Sequence, residues 1–186
     1  MEKVAEELKI TYEDVLSLGE TNQRIELFDG DIVMSAMPAT RHQRIGSLLY
    51  VQLFNYVHTH GLGFVYSAPV DVVLSKTMVF QPDLCFISNE RMSIDDGERV
   101  NESPDLVIEI LSDSTQKKDR TLKFREYARH GATEYWLVSP DKREIEVFSN
   151  SDKGFQLARI FSASEEMNTP LFSDAEFKLK DVFASL

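Results

Sequence analysis

The sequence has almost no cysteine and no long apolar run. Cys85 is the only cysteine among 186 residues, which excludes an internal disulfide framework and a zinc site built from several cysteines. No segment approaches the roughly 18 consecutive apolar residues of a membrane-spanning helix, and the first residues, MEKVAEELKI, lack the apolar stretch of a signal peptide. We therefore expect a reducing, cytoplasmic location, no membrane partner and a core position for Cys85.

Positive charge is scarce as well. The chain has 20 Lys and Arg against 31 Asp and Glu, which gives a formal net charge of -11 at pH 7. This balance argues against general affinity for nucleic acid, because phosphate binding depends on Lys and Arg side chains that release counterions. A local site stays open, since clustered carboxylates recruit divalent cations that can bridge to phosphate.

The composition and the first third of the chain indicate a folded protein with regular structure. Hydrophobic residues make up 42% of the chain, and its length predicts a single domain over residues 1–186. Thr11 and Asp14 form a capping-box pattern at a short helix, and Asp29-Gly30 predicts a hairpin. Apolar residues at helical spacing then predict a helix over 39–60.

The remaining patterns predict several strands and one more long helix. The helix is expected to begin at Asp113 or Ser114 and to end at Arg129, and the tail from Pro170 is expected to be peripheral. Strands are predicted at 63–75, 78–88, 104–112, 134–140, 143–149 and 154–160. This order predicts an α/β or α+β fold, with a mixed central β-sheet flanked by helices.

An acidic residue interrupts one of the most apolar strands. Glu109 lies at the centre of SPDLVIEILSD, where an unpaired carboxylate would be costly, so it needs a partner. Asp83 follows Pro82 in an equally apolar strand, and adjacent strands lie about 4.8 Å apart. Two such carboxylates can share a magnesium or manganese ion, which suits phosphodiester hydrolysis. A buried ion pair, or a less buried strand, is the alternative explanation for Glu109.

Six short pieces of the sequence, in order, resemble a known family. They are ELFDGDIV, RHQRIGSLL, QPDLCFI, PDLVIEILS, DRTLKFREYARHG and EYWLVSP, which together cover roughly residues 10 to 150. They resemble the Uma2 family, formerly DUF820, a bacterial group in the PD-(D/E)XK nuclease superfamily. The resemblance implies a restriction-endonuclease-like core, with Asp83 and Glu109 as metal-binding acids and Glu26 as a helper acid or outer ligand.

The sequence departs from the superfamily pattern at one catalytic position. Leu111 stands two residues after Glu109, where the superfamily has lysine. Lys123 borders the core-facing stripe of the second long helix and is the candidate replacement, because a lysine stem can carry its ammonium across apolar surface to the acidic pocket. An exposed pair between Lys123 and Asp119 is the alternative.

Other polar residues have two interpretations each. Glu26 is either a pocket acid or a solvated hairpin residue, and His42 is either a substrate or proton-relay residue or a hydrogen-bonded structural histidine. Asp105 also follows a proline, so PDLVIE by itself is a rival motif, although a turn or capping acid is the simpler reading. Gln81 precedes Pro82 and could line the site.

The second long helix is rich in cations in an otherwise acidic chain. They are Lys117, Lys118, Arg120, Lys123, Arg125 and Arg129. A nucleic acid could lie along this basic surface, or it could be an ordinary solvated helix face.

Two functions are compatible with these residues. The first is a magnesium- or manganese-dependent endonuclease of DNA, with Asp83 and Glu109 on the metal, Lys123 on the attacking water, and Glu26 and His42 in support. The second is a nuclease-fold module that binds nucleic acid or a partner protein without hydrolysis, which the absence of lysine at position 111 favours. A homodimer or higher homo-oligomer is expected, because cutting two strands is easier with two sites.

Overall fold

A computed structural model describes residues 9–19, 24–35 and 37–184. Its helices are α1 Tyr12–Ser17, α2 Thr40–His60, α3 Gln116–Lys118, α4 Phe124–Arg129 and α5 Leu179–Phe183, with a 3-10 helix at Asn89–Ile94 and a π-helical turn at Asp119–Lys123. Its strands are β1 Arg24–Phe28, β2 Asp31–Ser35, β3 Gly63–Ser67, β4 Val72–Ser75, β5 Met78–Phe80, β6 Leu84–Ser88, β7 Leu106–Ile110, β8 Glu134–Ser139, β9 Glu144–Ser149, β10 Gln156–Ser162, β11 Glu166–Met167 and β12 Phe177–Lys178.

The strands form two main sheets rather than the single sheet that the sequence predicts. The larger sheet has the order β10-β9-β8-β7-β6-β3, and the smaller one has the order β2-β1-β5-β4. Neighbouring strands are antiparallel in both sheets except for β7 and β8, which are parallel and joined by the helical segment from α3 to α4. A mixed sheet is therefore present as predicted, while β11 and β12 form a small third sheet.

Prolines explain why two predicted strands are each divided. The run 63–75 gives β3 and β4, and the run 78–88 gives β5 and β6. Pro69 and Pro82 lie at the two breaks, and proline has no N–H to donate to a strand ladder. Each run consequently gives one strand to the larger sheet and one to the smaller sheet.

The larger sheet is covered on both faces. On one face, Ile108 and Trp136 pack with residues of α2 and α5 in a continuous apolar cluster. On the other face, Val107 packs with Tyr127 of α4 and with Phe28 of the smaller sheet. Because side chains alternate along β7, Glu109 lies on the same face as Val107, toward α4 and the smaller sheet.

Local sequence signals are confirmed in the first third of the chain. Thr11 and Asp14 make both hydrogen bonds of the capping box at α1. Asp29 and Gly30 have positive φ angles of 55° and 91°, the backbone conformation that a tight hairpin turn requires. The predicted hairpin is therefore present as β1 and β2.

Later elements differ from the predictions in two respects. The second long helix contains the π-helical turn, and its N-cap is Thr115 rather than Asp113 or Ser114. The tail after Pro170 is not peripheral, because its apolar side chains are buried in the cluster that covers α2. Those side chains are Phe172, Phe177, Leu179, Val182 and Phe183. Within the described ranges, no helix is long and apolar enough to cross a membrane.

Candidate active site

Ionisable side chains from both sheets and two helical segments converge on a pocket of about 250 Å³. The ones that contact one another there are Arg24, Glu26, His42, Asp83, Glu109, Asp119 and Lys123. All five residues predicted for the site are among them. The fold therefore brings together side chains that are up to 99 positions apart in the sequence, from Arg24 to Lys123.

Asp83 lies immediately before β6 and is held by three donors. Its Oδ2 accepts a hydrogen bond from the Ile110 backbone N–H at 2.8 Å and lies 3.1 Å from His42 Nε2. Its Oδ1 accepts a hydrogen bond from Arg24 Nη1 at 3.1 Å. Burial raises the pKa of Asp83, but the hydrogen bond from His42 and the charges of His42 and Arg24 outweigh burial and lower it below its usual value.

Lys123 is buried in the pocket and contacts three acids. Its Nζ lies 2.8 Å from Glu26 Oε1, 2.9 Å from Glu109 Oε1 and 3.7 Å from Asp119 Oδ1. The reading of Lys123 and Asp119 as an exposed pair is wrong, because both side chains are buried. Burial lowers the pKa of Lys123, but the charges of Glu109, Glu26 and Asp119 raise it by more, so the ammonium keeps its proton at neutral pH.

Glu26 and Glu109 both contact the Lys123 ammonium but differ in their other surroundings. Glu26 also accepts a hydrogen bond from the Gln81 backbone N–H at 2.9 Å, and it is buried, so the solvated-hairpin reading of Glu26 is wrong. Burial raises the pKa of Glu109 well above its usual value, and the nearby carboxylates of Asp119 and Asp83 add to this effect despite the charge of Lys123.

The π-helical turn places Asp119 and Lys123 toward the pocket. Such turns occur frequently at functional sites, because the extra residue changes the direction in which side chains leave the helix. The Tyr135 hydroxyl donates a hydrogen bond to the Asp119 backbone carbonyl at 2.9 Å and ties the turn to β8. Asp119 Oδ1 is buried without a hydrogen-bond donor, and burial raises the pKa of Asp119.

Arg24 is a further residue of the site that was not predicted from the sequence. Arg24 and Glu26 are two residues apart on β1, so strand alternation puts them on the same face, and this signal could have identified Arg24. Besides its hydrogen bond to Asp83, Arg24 Nη2 lies 3.9 Å from Glu26 Oε1 and 4.0 Å from Glu109 Oε2. Asp119 was considered only as a surface partner, although its spacing of four residues from Lys123 links the two.

Among the pocket side chains that contact one another, carboxylates outnumber Arg and Lys by four to two. The acids are Glu26, Asp83, Glu109 and Asp119, and the cations are Arg24 and Lys123. Two of these carboxylates therefore have no Arg or Lys of their own, and Asp119 Oδ1 has no hydrogen-bond donor. Carboxylate oxygens in excess of the cations that neutralise them are the ligands that a magnesium or manganese ion requires, so these residues fit such an ion.

The acids form ion pairs with Arg24 and Lys123, and their oxygens are not arranged around a common metal position. Across residues 9–19, 24–35 and 37–184, no group of three or more His, Cys, Asp and Glu side chains has the arrangement of a metal site. A metal would therefore be held by few protein oxygens, and for magnesium this is usual, because the ion keeps several waters.

Asp105, Gln81 and Leu111 do not contribute functional side chains to the pocket. Asp105 accepts hydrogen bonds from the Ser88 backbone N–H at 2.8 Å and from Arg91 Nη1 at 3.2 Å, at the opposite end of β7 from Glu109. Asp105 is thus a turn acid, and the rival PDLVIE motif is wrong. The Gln81 amide donates to Asp71 at 2.7 Å, and Leu111 packs in the apolar cluster with Tyr127.

The basic surface predicted along the second long helix is partly neutralised. Arg120 donates two hydrogen bonds to the Glu146 carboxylate, and Arg125 and Arg129 both contact Glu126. Lys123 is buried. Lys118 lines the pocket, with its ammonium 5.5 Å from the centre of the Phe28 ring. Because Glu126 offsets only one of its two arginines, the predicted cationic surface keeps one exposed positive charge there, together with Lys117 and Lys118.

Comparisons with known proteins agree with the fold. The chain aligns with a crystal structure described as a putative nuclease belonging to DUF820 from Anabaena variabilis ATCC 29413, with a TM-score of 0.78 and 22% identity. The alignment covers 94% of this chain and 98% of that chain. At this identity the likeness shows the fold, so the predicted restriction-endonuclease-like core is confirmed.

Sequence comparison gives one partial match and one match over most of the chain. A 65-residue segment is 40% identical to an uncharacterized protein, slr1290, of Synechocystis sp. (strain ATCC 27184 / PCC 6803 / Kazusa), and covers 34% of this chain and 34% of that protein. The chain thus spans about a third of that relative's length. The family model of Uma2, described as "Putative restriction endonuclease", matches residues 12–180. This protein belongs to the Uma2 family.

Proposed function

We propose that this protein is a magnesium- or manganese-dependent endonuclease that hydrolyses phosphodiester bonds of DNA. The proposal rests on one observation. The Lys123 ammonium lies at hydrogen-bond distance from two acids that belong to different sheets. Glu26 lies on β1 of the smaller sheet and Glu109 on β7 of the larger one. Membership in a family described as restriction endonucleases supports the same reaction class.

Asp83 and Glu109 are the proposed metal ligands. A bound magnesium or manganese ion would lower the pKa of water and offset the negative charge that builds on the phosphate. Asp83 is already ionised, because His42 and Arg24 lower its pKa, and the Ile110 N–H fixes one of its oxygens. Glu109 is the acid whose ionised form gains most from an added cation, because burial and neighbouring acids raise its pKa.

Lys123 takes the role of the lysine that is absent at position 111. Because its pKa is raised, the ammonium remains protonated and serves as a donor and a positive charge, not as a general base. Glu26 holds this ammonium in the pocket at 2.8 Å, and it is itself fixed by the Gln81 N–H. His42 holds Asp83 from the helix side, at the mouth of the pocket.

A second function is favoured by one observation. Arg24 and Lys123 already compensate the acids in part, which would let the same fold bind nucleic acid or a partner without hydrolysis.

For the nuclease, we further propose that two copies act together on a duplex, since each pocket can cut one strand and a twofold dimer is the commonest oligomer.

A cleavage assay tests the proposal. Supercoiled plasmid and circular single-stranded DNA are incubated with magnesium, manganese or a chelator, using the wild type, Glu109→Gln, Lys123→Arg and Asp105→Asn. We expect metal-dependent cleavage by the wild type. Glu109→Gln and Lys123→Arg should each lose about 100-fold or more in rate, because one loses a metal ligand and the other cannot replace a compact ammonium. Asp105→Asn is the matched control and should cleave, because Asp105 lies outside the pocket.

Three results would contradict this assignment. Cleavage that persists in the chelator would exclude metal dependence, and cleavage by Glu109→Gln at the wild-type rate would exclude Glu109 as a ligand. Binding of DNA without cleavage by the wild type in either metal would favour the binding module.

A further inference from the structure

Arg24 lies where the three nearest carboxylates of the pocket meet. Its guanidinium is 3.1 Å from Asp83, 3.9 Å from Glu26 and 4.0 Å from Glu109. The proposed metal ligands Asp83 and Glu109 are both among these acids, and so is the helper acid Glu26. One cation of the chain itself therefore sits within 4 Å of each acid that a divalent cation would need.

The guanidinium is held mainly by charge. Of its contacts with these three acids, only the one to Asp83 is within hydrogen-bond distance, and the other two are longer. Its buried Nε has no hydrogen-bond acceptor. A guanidinium has five donors in a rigid fork, and its pairs with carboxylates are frequently bidentate. Arg120 on Glu146 has that bidentate arrangement in the same protein, and Arg24 does not.

The Arg24 side chain is partly exposed and borders a second, larger cavity. Its side chain is 21% exposed, whereas Lys123 is 3% exposed. Arg24 lines both the acidic pocket and a larger groove of about 1460 Å³ that opens beside it, while Lys123 lines only the pocket. Open space therefore adjoins the Arg24 side chain on the groove side, whereas Lys123 is enclosed by the pocket.

We infer that Arg24 is a resident counter-cation that occupies the carboxylate cluster in the absence of metal and is displaced from it when a divalent cation binds. Two cations within about 4 Å of the same carboxylates repel each other strongly in a poorly solvated pocket. Metal affinity is then set by competition, because each bound metal must first release Arg24 from Asp83. This inference rests on the proposed metal-dependent function and adds the residue that regulates entry to that site.

Competition predicts opposite effects on the metal-free and metal-bound protein. Without Arg24, the acids lose a partner, so the metal-free fold is less stable. With metal present, the same variant has no cation to displace, so it binds the ion more tightly and gains more stability from it. A purely structural arginine would change only the first of these quantities.

The test is a calorimetric titration with manganese of the wild type, Arg24→Met and Arg91→Met, together with thermal melts in a chelator and in manganese. Arg24→Met should bind manganese at least tenfold more tightly than the wild type. It should melt at a lower temperature in the chelator and show a larger rise with manganese. Arg91→Met is the matched control, because Arg91 pairs with Asp105 at 3.2 Å outside the pocket, and its manganese affinity should equal that of the wild type.

Arg24→Lys is a second variant for the case in which Arg24→Met does not fold. It keeps the positive charge but cannot reach three acids with one planar group, so manganese should bind at least threefold more tightly than to the wild type. Manganese affinity equal to or weaker than that of the wild type, in whichever of the two Arg24 variants folds, would overturn the inference while leaving the metal site intact. Absence of manganese binding by the wild type and by both Arg24 variants would overturn the metal site and the inference together.

Discussion

At the scale of single residues, Asp83 and Glu109 share a pocket but have opposite electrostatic environments. Asp83 has a lowered pKa because His42 and Arg24 stabilise its ionised form more than burial destabilises it. Glu109 has a raised pKa because burial and the acids nearby outweigh Lys123. In the metal-free protein, the first carboxylate therefore stabilises the fold when ionised, and the second costs free energy.

This difference predicts opposite responses to neutralising each acid. In a chelator at pH 7, Glu109→Gln should leave the free energy of unfolding unchanged or raise it by about 1 kcal/mol, since it removes one excess buried charge. Asp83→Asn should lower it by about 1 to 3 kcal/mol, because it leaves Arg24 and His42 without their acceptor. Urea denaturation of both variants measures the two changes. A large loss of stability in Glu109→Gln would show that its pair with Lys123 holds the fold.

The sequence identifies the acids of this site better than their partners. Glu109 stands out because a carboxylate in an apolar strand requires compensation, and Asp83 follows from the neighbouring strand. Lys123 was predicted to reach the pocket, but the π-helical turn in which it lies has no local signal in the sequence. Arg24 could have been found from its two-residue spacing to Glu26, but nothing local indicates that the hairpin lies against the larger sheet.

At the scale of elements, the helical segment that carries Lys123 is tied to the sheet by an ion pair. Arg120, in the π-helical turn, donates to both oxygens of Glu146 on β9. These hydrogen bonds lower the pKa of Glu146 below its usual 4.5. The Glu146 carboxyl therefore binds its proton less tightly in the folded protein than in the unfolded chain. The ion pair stabilises the fold above about pH 4.5, and this stabilisation is lost as the pH falls through the lower pKa of the folded state.

Replacing Glu146 should therefore have an effect that depends on pH. Glu146→Gln should lower the free energy of unfolding by about 1 kcal/mol at pH 7, and the difference from the wild type should shrink below about pH 4.5. Glu144→Gln is the control on the same strand, where an exposed lysine, Lys142, is the partner at 3.1 Å, and its effect should stay within about 0.5 kcal/mol. Denaturation curves from pH 3 to 7 test this, and a pH-independent loss in Glu146→Gln would contradict it.

Element prediction from the sequence succeeds where the signal is local. The capping box, the hairpin turn and helix α2 are each specified by a few neighbouring residues, and all three are present. The tail after Pro170 was misjudged because its elements are too short to show a period, although its phenylalanines fill the core. Burial of such residues is decided by distant parts of the chain.

At the scale of the whole molecule, two sheets are needed to build the pocket. The smaller sheet supplies Arg24 and Glu26, the larger one supplies Glu109, and Asp83 lies at the break between them. Most of the strand-forming segments were predictable from local patterns, but their division between two sheets was not, because period-two patterns do not tell which strands pair. For the proposed function, a net charge of -11 means that local cations or a metal have to recruit the phosphate substrate.

The central claim is that Asp83 is a ligand of a divalent cation, and calorimetric titration with manganese tests it most directly. Asp105→Asn is the matched control, because Asp105 also follows a proline, is buried and is paired with an arginine, but lies outside the pocket. We predict that the wild type and Asp105→Asn bind manganese with equal affinity and that Asp83→Asn binds at least tenfold more weakly. Equal binding by folded Asp83→Asn and the wild type would contradict the account.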